Sequence, residues 1–271
     1  MSVDVSIIVV GYKSEKTILP FLDSFKKSKD GLTKEIIVVD NYPADNCANL
    51  ATSHSLKPLV IRNSENVGFS KAINQGIKVA KGKYLLIMNP DTKMIGNSLK
   101  YLYDFAETKN NLGAIAPRLL NSDGKIQPSC FYFPTILNAL KYNFFGSKNS
   151  FKKYDPGKQT TTVEVAVMAA FFLPRSTIDQ VGGLDERYFL YYEDVEFCRR
   201  LKHFNLPIFF YPKAKVQHLH GASGNYTSHL KSPLLASAKL YYGSFYFALL
   251  NLVLWIGHKW QVILRGKRFR D

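Results

Sequence analysis

The first half of the chain alternates short, unbroken apolar runs with stretches whose apolar residues recur at helical spacing. Val5-Ser6-Ile7-Ile8-Val9-Val10, Glu35-Ile36-Ile37-Val38-Val39-Asp40, Leu59-Val60-Ile61 and Tyr84-Leu85-Leu86-Ile87-Met88 are too continuous for strands with one wet face. They predict strands covered on both sides in a parallel sheet. Gly11-Tyr12-Lys13-Ser14 breaks the first run ahead of Ile18, Leu19, Leu22 and Phe25, which share one helical face. Further helices are predicted over about 44–54, 70–80 and 98–109. Strand and helix in this rhythm imply βαβ units with right-handed crossovers, a nucleotide-binding type of α/β sheet.

The rhythm changes after Gly113-Ala114-Ile115-Ala116-Pro117. Asp123-Gly124 marks a hairpin-like turn. Residues 130–162 mix aromatic, Lys, Asn and Gly without a clean period, which predicts a mobile segment covering the site. A buried strand is expected over 163–173, a short helix over 176–181 closed by Gly182-Gly183, and a helix from Glu193 with Val195, Phe197, Cys198 and Leu201 inside. Ile208-Phe209-Phe210-Tyr211 and residues 214–217 read as two short strands leading to His218.

Residues 240–257 carry no charge and are rich in Leu, Tyr, Phe and Trp, a run slightly short of the roughly 20 residues that span a bilayer. Charge decides how it is read. Of the formal net charge of +15, much falls here: after Glu196 the only acid is Asp271, while Lys259, Arg265, Lys267, Arg268 and Arg270 flank the run. An interfacial helix held by an anionic membrane surface is the expectation, with a packed core helix or a contact between copies in a homo-oligomer as the other readings. The chain thus divides at about 228 into a catalytic domain (1–118 and 119–228 as its halves) and a helical extension over 229–271. Nearly half of its 271 residues are hydrophobic, so disorder is excluded. Three cysteines, Cys47, Cys130 and Cys198, have no metal spacing and suit a reduced compartment, and no cleavable leader is legible. The basic charge is not accompanied by any recognition motif for nucleic acid.

Asp40, Asp91 and Asp194 each follow an apolar or aromatic run, which sends them to one edge of the sheet, where ligands of open α/β folds collect. Asn89-Pro90-Asp91 has a plainer reading as an Asx turn capping the next helix. The loop Asn63 to Lys71 precedes a helix N-terminus, where Gly68 permits close backbone approach and free amides favour anions, although no P-loop or dinucleotide spacing is present. Tyr191-Tyr192-Glu193-Asp194 sets two carboxylates at a helix start, where the dipole favours their charged form. His218 and His220 share a face if they lie on a strand, and one imidazole with Asp91 would make half of a divalent-cation site.

Taken together in order, Val5 to Ser14, Ile36 to Asn41, Glu65 to Phe69, Gly82 to Asp91, Gly182 to Glu186, Phe189 to Cys198 and Lys215 to Gly221 resemble glycosyltransferase family 2, the inverting enzymes of the GT-A fold, and within it the bacterial rhamnosyltransferase-like branch. The resemblance implies a GT-A sheet flanked by helices and a membrane-associating C-terminal extension. It gives Asp40 the nucleobase, with Tyr12, Asn66, Gly68 and Asn89 completing the nucleotide site. Asp91 and His218 would hold Mg2+ or Mn2+, and Asp194, beside Glu193, would be the catalytic base. It implies dTDP-L-rhamnose as donor and a lipid-linked saccharide as acceptor in surface-polysaccharide or O-antigen assembly, at the cytoplasmic face of the inner membrane. Another hexose from a UDP- or GDP-sugar is the alternative, followed by a sugar-phosphate nucleotidyltransferase and a non-catalytic basic membrane module. The chain departs from the family pattern at Asn89, in place of the first acid of Asp-x-Asp, at Lys13, where Asn is frequent, and at Ala166 and Ala169, where an aromatic residue and a glycine are common.

Overall fold

The computed structural model describes residues 2–26, 30–145, 147, 152–219 and 228–265. The predicted strands become β1 (Val5–Gly11), β2 (Lys34–Asp40), β3 (Leu59–Arg62) and β4 (Tyr84–Met88), with helices α1 (Ile18–Lys26), α2 (Cys47–Ser53) and α3 (Phe69–Val79) between them. These four strands are parallel, in the order β3-β2-β1-β4. Successive residues of β1 feed two cores. Ile8 and Val10 pack with Ile73 of α3, while Ile7 and Val9 pack with Phe21 and Leu22 of α1. The runs of β1, β2 and β4 are continuous because both faces are covered by helices, whereas β3 at the edge of the sheet is partly exposed.

The sheet does not stay parallel. After β5 (Thr92–Met94), α4 (Ser98–Glu107) and β6 (Ala114–Leu120), the chain turns through Asp123-Gly124 into β7 (Ile126–Gln127), as its turn residues predict. β8 (Cys130–Phe131), α5 (Ile136–Phe144), β9 (Thr161–Val163), β10 (Val165–Ala166) and β11 (Ala170–Pro174) follow. β11 runs antiparallel between β4 and β6, so the strand ending at Asn89 has one parallel and one antiparallel neighbour. The expected single strand over 163–173 is three pieces. The aperiodic stretch 130–162 contains a helix, α5, started by Thr135 through a side-chain cap on Asn138 N. Its amphipathic pattern is masked because its neighbour is another apolar helix, not the sheet.

α6 (Arg175–Val181) and α7 (Glu193–His203) lie where expected, and the two short strands merge into β12 (Ile208–His218), irregular between Tyr211 and Lys215. The uncharged C-terminal run is not one helix. α8 (Ser228–Tyr242) and α9 (Ser244–Arg265) meet at Gly243, whose φ of +72° permits a bend of 115° between them. Among the described residues no single helix is long and apolar enough to cross a membrane. α9 lies on α5, with the Phe144 and Trp260 rings 6.1 Å apart and the Tyr246 hydroxyl accepting from the Ile136 amide at 2.9 Å. The outer face is apolar too: Phe245, Leu249, Leu252, Trp255, Ile256 and Trp260 are exposed, whereas Leu250 and Gly257 are buried.

Candidate active site

Two clusters form where the strands of the sheet end. Asp40 closes β2 opposite Gly11, 2% exposed, and its side chain accepts a long 3.4 Å bond from the Tyr42 amide. Burial holds its carboxyl above the usual range. Tyr12 and Tyr42 cross edge to face with centroids 5.1 Å apart, and the Lys13 ammonium lies 5.6 Å and 5.5 Å from the two rings. A flat ligand edge with N–H groups would find a carboxylate and aromatic surface together here.

Asp91 follows β4 across Asn89-Pro90. The turn is closed by the backbone, Thr92 N and Oγ1 both donating to Asn89 O, and it leads into β5 and not into a helix. The capping role therefore falls away. β5 pairs antiparallel with β12, setting His218 opposite Thr92 and its Nε2 3.4 Å from Asp91 Oδ1. Asp91 is 6% exposed. Gln127 Nε2 donates to Asn121 Oδ1 at 2.9 Å, which turns Gln127 Oε1 to His218 Nδ1 at 2.8 Å. This contact favours the tautomer with its proton on Nδ1, in which Nε2 turns a lone pair toward the Asp91 carboxyl oxygen. Two acceptors side by side, one backed by a polar partner, form a donor set suited to a divalent cation. His220 lies outside the described residues.

A second grouping of possible ligand atoms, Asp40, Asp45 and Cys47, lies within 4.8 Å. It is a brace for the first loop: Asp45 accepts from the Ser14 and Cys47 amides at 2.8 Å and 2.9 Å, and burial pushes the Cys47 thiol up to about 12, which keeps it protonated.

The loop over 63–71 is also a brace. Asn66 Oδ1 accepts from Asn41 Nδ2 and the Gly68 amide, and Asn63 bonds Gln75. Phe69 N donates to Phe189 O at 2.7 Å. The amides of Val67, Gly68 and Phe69 thus have protein acceptors. Gly68 does allow a close approach, but by Phe189: at φ +88° a Cβ there would lie 2.8 Å from the Phe189 ring.

Asp194 and Glu193 begin α7. The two residues before them, Tyr191 and Tyr192, have φ of +69° and +66°, left-handed conformations that cost roughly 1–2 kcal/mol each for a residue with a Cβ. Strain of this kind persists only where neighbours impose it. Asp194 borders a cavity of about 260 Å³ with Tyr132, Lys153, Tyr191, Tyr192 and Leu234 among its walls. The helix dipole was expected to favour both charges, yet burial outweighs it. Asp194 is raised by burial against the opposing Lys153 charge and Val195 amide, and Glu193 is pushed to about 8 by burial and by Asp194. Glu193 Oε2 is the one buried side-chain oxygen or nitrogen among the described residues without a hydrogen-bond partner. Burial and the repulsion between the two carboxyls thus make the pair hold a proton more tightly than free carboxyls do, which raises the basicity of Asp194.

The model of glycosyl transferase family 2 matches residues 6–172, which include β2 to β4, nearly all of β1, Asp40, Asp91 and the first part of β11. The chain belongs to glycosyltransferase family 2. Among its family relatives, the low-salt glycan biosynthesis hexosyltransferase Agl10 of Haloferax volcanii is 29% identical over 212 residues, 76% of this chain and 64% of its own length. An N-acetylglucosaminyl-diphospho-decaprenol L-rhamnosyltransferase of Mycobacterium tuberculosis is 25% identical over 78% of this chain and 76% of its own. Two solved structures share the fold: GalNAc-T7 with UDP, GalNAc and Mn2+ (TM-score 0.66, 14% identity, 87% of this chain, 47% of that one) and Staphylococcus aureus TarS with UDP-GlcNAc (0.58, 17%, 96% and 73%). The mixed sheet with helices on both faces is accordingly the GT-A fold.

Within this family 2 chain, Gln127, Lys153 and the carbonyls of residues 188–190 escape a reading by motif. Gln127 alone carries a signal, as a buried polar residue in a strand next to exposed Ile126.

Proposed function

We propose that the chain transfers a hexose with inversion from a nucleotide sugar to a hydroxyl of a lipid-linked saccharide, L-rhamnose from dTDP-L-rhamnose being the favoured donor. The observation that carries this is the Asp91–His218 pair, backed by Gln127 at one end of the sheet, together with a separate raised carboxylate, Asp194, in its own aromatic cavity. Asp40 would accept from the base N–H, with Tyr12 and Tyr42 beside the ring. Asp91 and His218 would hold Mg2+ or Mn2+, whose chemistry is neutralisation of the departing diphosphate. Asp194 takes the proton of the attacking hydroxyl, and Tyr191 and Tyr192 shape the cavity so that this hydroxyl meets the anomeric carbon from the face opposite the diphosphate. One displacement inverts the centre, with no covalent intermediate on the protein.

The mycobacterial rhamnosyltransferase supports rhamnose as the donor sugar, and its name supports a diphospho-lipid acceptor. A UDP-sugar donor is the second reading, favoured by UDP in the solved structures of the same fold. The outer apolar face of α9 would rest on the cytoplasmic surface of an anionic membrane. Lys141, Lys239 and Lys259 are exposed on the helices of this region, and no acid occurs between Glu196 and Asp271. The test is a transfer and donor-hydrolysis assay across dTDP-rhamnose, UDP- and GDP-sugars with Mn2+ and then a chelator. Turnover of dTDP-rhamnose that stops with the chelator is expected; undiminished turnover in chelator would remove the cation from the scheme.

A further inference from the structure

The segment that carries the base is tied to two separate parts of the molecule by three consecutive carbonyls. Tyr188 O accepts from Ser70 Oγ at 2.8 Å and Phe189 O from Phe69 N at 2.7 Å, both at the start of α3 on the donor side. Leu190 O accepts from Ser237 Oγ of α8 at 2.9 Å. The chain then passes through the left-handed pair Tyr191–Tyr192 into Glu193-Asp194. The Tyr192 ring is enclosed by α8: the Tyr241 and Tyr242 rings lie 5.4 Å and 5.8 Å from it. Tyr242 is itself fixed, its hydroxyl donating to Pro134 O at 2.6 Å and its ring stacked 5.4 Å from Tyr246 of α9. Arg199 of α7 lies over Tyr241 at 4.5 Å, so the helix that begins with the base also leans on α8.

We propose that Ser237, Tyr241 and Tyr242 are positioning residues for catalysis, holding the left-handed turn that aims Asp194, so that the C-terminal helix pair is a working wall of the acceptor site and not only an attachment. Nothing local in Tyr191 and Tyr192 favours φ near +70°, since neither is Gly, Asn or Asp. The conformation must be imposed from outside. The contacts that can do so come from the start of α3 through Tyr188 and Phe189, and from α8 through Leu190 and Tyr192. The buried Ser237 hydroxyl is aimed at a backbone carbonyl of this loop, and Leu234, one turn earlier on α8, borders the cavity that Asp194 faces. Because α9 follows α8 directly and stacks on Tyr242 through Tyr246, a displacement of α9 at a lipid surface reaches the base through one aromatic column. The starts of α3 and α7 and the helix α8 therefore converge on five residues, 188–192.

The inference rests on the transfer reading for its kinetic arm but not for its structural one. In the full chain, Ser237→Ala and Tyr242→Leu are compared with Ser237→Thr by hydrogen exchange of the amides of 189–196, by melting temperature, and by kcat and KM for hydrolysis of dTDP-rhamnose and UDP-GlcNAc. Exchange in 189–196 is expected to rise about tenfold in Ser237→Ala, the scale of one lost hydrogen bond, with β1 to β4 unchanged. kcat falls by a similar factor at unchanged donor KM, and Ser237→Thr restores both. Unchanged exchange in 189–196 for Ser237→Ala and Tyr242→Leu overturns the proposal whether or not turnover is found. Local loosening without turnover of any donor sinks the transfer reading and leaves the positioning in place. Exchange that rises equally in β1 to β4 marks a general stabiliser and also overturns it.

Discussion

The strand-end cluster and the start of α7 place their carboxylates by different means. Asp40 and Asp91 are set by strands buried on both faces, and their positions follow from where β2 and β4 end. Asp194 hangs on a strained loop whose conformation is decided by residues about 120 positions before it and about 45 after it. The first arrangement is fixed by local strand pairing and the second by contacts distant in sequence. A transferase that must fix a diphosphate while admitting acceptors through an apolar rim has use for both.

The largest effect that can break this comparison is at the base. Asp194→Asn should lower transfer by about 10³-fold, within the usual range for a general base, with nucleotide affinity kept in calorimetry. Full activity would remove Asp194 from its role. Next, Gln127→Leu leaves Asp91 and His218 in place but removes the partner of Nδ1. It should weaken cation-dependent nucleotide binding by about 10–100-fold, as loss of an outer partner does, and a fully Mn2+-responsive variant would show that Gln127 is irrelevant. At the apolar rim, Leu252→Glu should weaken binding to vesicles of anionic lipid about tenfold, the scale of partly burying one leucine, and 0.5 M salt should weaken it in the wild type. Equal binding would place α9 against protein instead.

The smallest effect is on stability. Glu193 has its folded-state value raised from 4.5 to about 8, so its favourable contribution is full below about 4.5 and is lost as pH rises through about 8. Glu193→Gln should therefore melt above the wild type at pH 9 by about 2–4 °C per kcal/mol retained and lose that advantage at pH 4.5. A difference independent of pH would mean that the carboxyl is solvated.

How much of this was legible follows from the same contrast. β1 to β4 and the helices between them declare themselves because each strand feeds two cores, and Asp40 and Asp91 come with them. The pairing of Asp91 with His218 was readable as a resemblance; its cause, the antiparallel return of β12 onto β5, was not. The close approach at Gly68 was legible only in part, because the residue that makes it, Phe189, is distant in sequence. The bend at Gly243 hid within an unbroken apolar run, since a packed helix pair and one interfacial helix have the same composition. The raised carboxyls of Glu193 and Asp194 depend on burial completed by residues distant in sequence, Tyr132 and Leu234 among those around Asp194, which no local pattern reports.

One calorimetric titration addresses the division of labour most directly: dTDP with Mn2+ into Asp91→Asn and Asp194→Asn, each beside the wild type. Loss of the Mn2+-dependent heat in the Asp91 variant, with wild-type affinity in the Asp194 variant, is expected. Equal losses in both, or a loss confined to the Asp194 variant, would contradict a cation edge at Asp91–His218 separate from a base at Asp194.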